Sequence, residues 1–202
     1  MRLLLLLLAL MLPGLAAESP ASQAAEQARA FVAACSAGTL GEYQAAHLDF
    51  AAVGRRAFGD AYTVLAPDGQ AAVTSKLQEF VRVANGSPSV KRLMQSAAYT
   101  VGEPRTTDAG VEVDVSMQAS NGHADTSTLH YALDEGKPVL VDIVRGGKAF
   151  SDQIAQGYQK SGGGDPARFV AGLIGITRMQ MNKLERAVQQ QDQKKQEPKP
   201  AE

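Results

Sequence analysis

The chain predicts an α+β fold, a curved antiparallel sheet of about four strands covered by helices. Three observations predict it. Apolar residues recur at helical spacing from Ala24 to Ala84 and again from Phe150 to Val188. Between Tyr99 and Val144 the period drops to two. The strand region also carries two tight-turn signals, Asn121-Gly122 and Asp134-Glu135-Gly136, which join neighbouring strands as antiparallel hairpins.

Before the first helix, Arg2 precedes the leucine-rich run Leu3 to Leu12, then Pro13-Gly14 and small residues ending at Ala16-Ala17. This is the layout of a secretory signal peptide over residues 1–17, too short to span a bilayer, with cleavage expected near Ala17. The mature chain is therefore expected outside the cytoplasm. Val32-Ala33-Ala34-Cys35 matches a lipoprotein box by letters, but the polar stretch Glu18 to Arg29 separates it from the apolar run, so lipidation is not expected.

Ala24, Ala28, Val32 and Cys35, with Phe31 beside them, predict an amphipathic helix ended near Gly38, which makes Cys35 a core residue. Asp49 caps a short helix through Ala57, and Gly59 closes it. Pro67 starts the next helix, whose stripe is Val73, Leu77, Phe80, Val81 and Ala84; Asn85-Gly86-Ser87-Pro88 stops it. A short irregular or helical piece follows around Val90 to Met94. Tyr99-Thr100-Val101 opens the sheet. Val111, Val113, Val115, Met117 and Ala119 then alternate with Glu112, Asp114, Ser116 and Gln118. On the return strand Leu129, Tyr131 and Leu133 share a face, and Val139 to Val144 forms the fourth strand. Ser151 caps a helix through Ile154 and Tyr158 that ends at Gly162-Gly163-Gly164. Asp165-Pro166 opens the last helix, striped by Val170, Ile174, Met181, Leu184 and Val188. Residues 18–188 thus read as one domain, and the Gln-, Lys- and Pro-rich residues 189–202 as a disordered tail.

Composition excludes several functions. A single cysteine forms no internal disulfide. A net charge of −1 offers no basic excess for nucleic acid, and the absence of Trp, with 5% aromatic residues, argues against stacking platforms. His47, His123 and His130 lack metal-ligand spacing, so no metal is expected. No Gly-x-Ser-x-Gly elbow is present, and Gly162 to Gly164 lacks the Lys and Ser or Thr of a phosphate loop. No catalytic set and no cofactor are expected. Asp142, inside an otherwise apolar strand, reads as facing the wet side beside Leu140 and Val144, paired with Arg145 or a helix cation.

Asp49-Phe50, Arg56-Ala57-Phe58-Gly59, the strand Val139 to Val144 with its following glycine pair, and Gly163-Gly164-Asp165-Pro166-Ala167-Arg168-Phe169 together resemble the MlaC family of periplasmic phospholipid-binding proteins, over roughly residues 24–175. The resemblance implies an apolar cavity between a curved sheet and its helices, acyl chains inside and headgroup outside. It further implies a periplasmic location and shuttling between an outer-membrane lipoprotein-porin complex and an inner-membrane ABC transporter with an MCE-domain subunit. The family's hopanoid-associated branch leaves lipid identity open. On this likeness the expected wall comprises Val113, Val115, Met117, Leu129, Tyr131, Leu133, Val141 and Ile143 from the sheet. Leu77, Phe80, Val81, Ile154, Tyr158, Phe169 and Leu173 face them from helices. With the headgroup outside, headgroup selectivity is expected to be weak; Lys148 either meets a phosphate headgroup or, the favoured reading, is a solvated side chain. Gly146-Gly147 and Gly162 to Gly164 are the expected hinges. The alternative is a periplasmic adaptor that binds only protein, its wedge filled by side chains.

Overall fold

Helix starts in this chain are written by local chemistry. The Ser19 hydroxyl accepts from the Ser22 N–H ahead of α1 (Pro20–Ala37), and Gly38, in the left-handed conformation at φ 71°, turns the chain out of it. The computed structural model describes residues 18–120 and 122–196; the expected signal peptide and Asn121 of the hairpin lie outside them. A helix that the sequence pattern does not announce, α2 (Leu40–His47), follows. Asp49 then caps α3 (Phe50–Phe58), accepting from the N–H groups of Ala51 and Ala52 at 2.9 Å each. A single turn, α4 (Asp60–Thr63), leads to α5 (Pro67–Asn85). The piece around Val90 is helical, α6 (Pro88–Gln95), capped by the Ser87 hydroxyl.

The four expected strands are β1 (Ala98–Val101), β3 (Gly110–Gln118), β4 (Ala124–Asp134) and β5 (Lys137–Arg145). Two short ones join them, β2 (Arg105–Thr107) and β6 (Lys148–Ala149). The sheet is antiparallel in the order β1-β3-β4-β5-β6, with β2 continuing the β1 edge along β3. Glu135 and Gly136, at φ 48° and 80°, make the two-residue β4–β5 turn, a backbone that favours Gly at the second position.

Between β4 and β5 the register slips: Tyr131 pairs with Leu140 but His130 pairs with Asp142, leaving Val141 as the extra residue of a β-bulge. Above the bulge the free edge of β5 is not exposed. Leu48 bridges to Leu140, and the Asp49 N–H donates to the Leu140 carbonyl at 2.8 Å, so the α2–α3 link covers it.

α7 (Phe150–Lys160) and α8 (Pro166–Gln196) complete the fold. Ser151 does not cap α7; the cap residue is Ala149 with no side-chain hydrogen bond, because the Ser151 hydroxyl is engaged by Asp142 instead. Asp165 does cap α8 through the Ala167 N–H at 2.9 Å. α8 runs to Gln196, past the boundary that composition predicts at Gln189, since Gln and Lys cost little in a helix and no Gly or Pro interrupts them before Pro198. α1 lies across β1, β3, β4 and β5, α3 and α7 pack together against β5, and α5 sits among α2, α3 and α8. No helix among the described residues is long and apolar enough to cross a membrane.

Candidate functional site

The inner face of the sheet changes character along its length. At one end Val111, Tyr131 and Leu140 sit side by side, followed by Val113, Leu129 and Ile143. Val113 and Leu129 are fully buried, closed off with Ala28 and Phe31 of α1, Val73 and Leu77 of α5, and Val170 and Ile174 of α8. This end is filled core. Burial pushes the Cys35 thiol up to about 11. It also pushes the Tyr131 phenol up, and that hydroxyl has no hydrogen-bond partner among the described residues.

Toward the other end the same face becomes polar: Val115 pairs with Ser127, which pairs with Arg145, and Met117 pairs with Asp125. Here the helices do not close onto the strands. A cleft of about 400 Å³ opens between β5 and helices α2, α5, α7 and α8. Its apolar lining is Leu48, Phe80, Val81, Ala84, Ile143, Phe150, Ile154 and Leu173; Gln44, Asn85, Arg145 and Gln153 supply its polar groups. Phe80 and Phe150 stack across it with centroids 6.1 Å apart and planes 17° from parallel, both half-buried.

The α7 side of the cleft is set by Asp142. This residue is buried, not on the wet face, because the bulge and the packing of α3 and α7 against β5 enclose it. Its Oδ1 accepts from the N–H groups of Ile143 at 2.9 Å and Ser151 at 3.3 Å. Its Oδ2 accepts from the Ser151 hydroxyl and from Arg56 Nη1 at 3.4 Å. A buried carboxylate is tolerated where donors satisfy it, and these four tie α3 and the start of α7 to β5. The helix cation expected as a partner is thus Arg56; Arg145 pairs with Asp125.

Of the expected wall, Phe80, Val81, Ile143, Ile154 and Leu173 meet in the cleft. Leu77, Val113, Val115, Leu129 and Tyr131 belong to the filled core. Met117 is half-buried near the open end. Val141 stands in the bulge, lining a small recess with Arg56, Val111 and His130, and Leu140 takes the inner position that strict alternation assigns to Val141. Leu133 is 46% exposed, opposite Pro138 beside the tight turn. Tyr158 and Phe169 form an edge-to-face cluster with Phe58 at centroid distances of 5.0 to 6.3 Å, outside the cleft. Phe169 and Leu173 also line an open groove of about 480 Å³ along the start of α8, with Gly163, Arg168 and Ile176. Sequence reasoning missed Gln44, Leu48, Ala84, Asn85, Phe150, Gln153 and Arg145 as cleft residues. Ala84 and Phe150 stand in the apolar stripes of their helices and Arg145 follows Ile143 on the same strand face, so these three had a readable signal.

No group of three or more His, Cys, Asp or Glu side chains arranged to hold a metal occurs among the described residues. His130 lies on the outer face, half-buried, with Nε2 3.6 Å from Glu112 Oε1.

No protein-family model and no curated protein matches this sequence. Among solved structures, the phospholipid-binding protein from Ralstonia solanacearum, determined in complex with a phospholipid, superimposes with a TM-score of 0.59 over 82% of this chain and 99% of that one, at 14% sequence identity. The α+β arrangement of a sheet with covering helices is therefore the fold this chain shares with that phospholipid-binding protein.

Proposed function

We propose that this protein is a lipid carrier that holds phospholipid acyl chains in the cleft between β5 and α2, α5, α7 and α8. The observation that carries this reading is an apolar hollow with polar groups along its lining, in a fold whose Ralstonia representative was solved with phospholipid bound. The carrier needs no reactive group, and none is assigned. Its task is thermodynamic. Two acyl chains with about thirty methylenes cost on the order of 24 kcal/mol to expose to water, at roughly 0.8 kcal/mol per CH₂. The wall must replace nearly all of that with apolar contact and must present no unpaired charge to the tails.

A cleft of about 400 Å³ stands near the lower end of the roughly 300–1,000 Å³ range of small-molecule sites. Housing both tails requires it to widen. Left-handed glycines bracket α7, Gly146 and Gly147 before it and Gly162, Gly163 and Gly164 after it, all with φ between 57° and 98°, and they are the hinges of that widening. Swinging α7 away from α5 separates Phe150 from Phe80 and requires Ser151 to release Asp142, which otherwise holds the start of α7 to β5.

In the cell the reading is of a periplasmic shuttle, exported by the leader over residues 1–17. It would pass lipid between an outer-membrane lipoprotein-porin complex and an inner-membrane ABC transporter with an MCE-domain subunit. The test is to extract the freshly purified exported protein with organic solvent and identify what is released. Diacyl phospholipid near one equivalent per chain is expected. A protein that releases none, and takes none up from vesicles, fits the adaptor instead.

A further inference from the structure

The carrier reading leaves the headgroup in water without a partner, but Arg145 at the cleft mouth and Lys148 paired beside it are two cations set against one carboxylate. Strand alternation places Arg145 on the same face as Ile143, and both line the cleft. Its partner directly across the β5–β6 hairpin is Lys148. Like charges opposed on paired strands repel one another and cost stability. Asp125 answers only part of this, accepting from Arg145 Nε. The Nη atoms of Arg145 and the Nζ of Lys148 have no hydrogen-bond or ion-pair partner among the described residues, so Arg145 and Lys148 against Asp125 leave one net positive charge.

Most neutral donors at the mouth are already committed. Asn85 Nδ2 donates to Gln44 Oε1 at 3.0 Å and to the Val81 carbonyl at 2.9 Å, and Gln153 Nε2 donates to the Lys148 carbonyl at 3.4 Å, which leaves the Gln44 amide as a neutral donor in the lining. The charged donors left unspent are the planar guanidinium fork and the ammonium beside it. A fork of this kind, held at one nitrogen by a carboxylate, matches the oxygens of a phosphate group and fits an uncharged hydroxyl headgroup poorly.

Resting on the carrier reading, we propose that Arg145, with Lys148 beside it, binds the phosphate of the amphiphile whose chains occupy the cleft, so that the carrier selects phosphate-bearing lipids over neutral lipids with the same tails. Asp125 acts as a positioning residue for the guanidinium. Because the Arg145 side chain is 58% exposed, the selection weakens as salt is added.

The test compares two lipids with identical pyrene-labelled chains, phosphatidylglycerol and diacylglycerol, delivered from cyclodextrin to the delipidated mature protein. Wild type is expected to favour phosphatidylglycerol by roughly tenfold, the scale of one charge-assisted contact. In the double variant Arg145→Gln, Lys148→Gln the ratio of the two affinities is expected to fall toward one, with Arg145→Lys in between. Circular dichroism and thermal melting establish that each variant is folded. An unchanged ratio in the folded double variant, or no preference in wild type, overturns the proposal while the carrier reading stands. Wild type that takes up neither lipid defeats the carrier reading itself. Millimolar inorganic phosphate is expected to leave bound phosphatidylglycerol in place; displacement would assign the cations to a free anion and overturn the lipid assignment.

Discussion

The two ends of the sheet's inner face are made by the same alternating strands and finish in opposite states. Around Val113 and Leu129 the helices press side chains into every space, and both residues have no exposed surface. Around Ile143 and Arg145 the strands continue but the cover parts, leaving the cleft. Alternation decides which side chains face inward. Whether they meet a helix or a hollow is decided by where α5, α7 and α8 diverge, and that is a tertiary outcome. The closed end supplies the stability from which the open end can be left unfilled.

The largest expected difference between the ends is in stability. Leu129→Ala should cost about 3 kcal/mol through lost burial and the cavity it leaves, read by urea denaturation of delipidated protein. Leu173→Ala, half-buried at the cleft, should cost about 1 kcal/mol and should reduce lipid uptake. Equal losses at the two positions would break the comparison.

The boundary between the ends is held by Asp142. Asp142→Ala removes the acceptor for Arg56, for both Ser151 donors and for the Ile143 N–H. With Arg56 half in solvent, the expected cost is about 2 kcal/mol, less than for a fully buried pair. Faster amide hydrogen exchange confined to α7 would sharpen the account; uniform loss across the sheet would contradict it.

A smaller effect of opposite sign is expected at Tyr131, whose buried hydroxyl lacks a partner. Tyr131→Phe should leave stability unchanged or raise it by up to about 1 kcal/mol in the same urea assay. The smallest effect is expected at the buried thiol of α1. With its thiol held up to about 11 by burial, Cys35 should resist a disulfide reagent at pH 8 and react once urea unfolds the chain. The unfolded thiol ionises near pH 8.5. The unfolded state therefore sheds its proton first, and the Cys35 contribution to stability falls as pH rises from there toward 11. Prompt labelling of folded protein at pH 8 would show that α1 opens away from β1 around Cys35 and Tyr99.

Much of the fold is legible because its signals are local. Asp49, Pro67, Asp165-Pro166 and the glycines that end helices act within a few residues, and the alternation of β3 and β4 declares their inner face. α2 escapes notice because Thr39 makes no side-chain cap and its apolar residues form no stripe. The bulge at Val141 is invisible for a related reason. An almost wholly apolar strand has no alternation from which to read a slip, so Val141 is placed inward where Leu140 belongs. At the site, Phe80, Val81, Ile143, Ile154 and Leu173 are legible as stripe residues. Gln44, Asn85 and Gln153 join them only through packing that no single element encodes.

Whether the open end takes acyl chains is decided by native mass spectrometry of two proteins purified side by side. One is wild type and the other is Ala84→Trp, which fills the cleft from α5 with an apolar side chain while leaving the closed end untouched. Wild type should carry one phospholipid mass that the folded variant lacks. Equal occupancy in both, or a wild-type protein that never carries lipid, would contradict the claim.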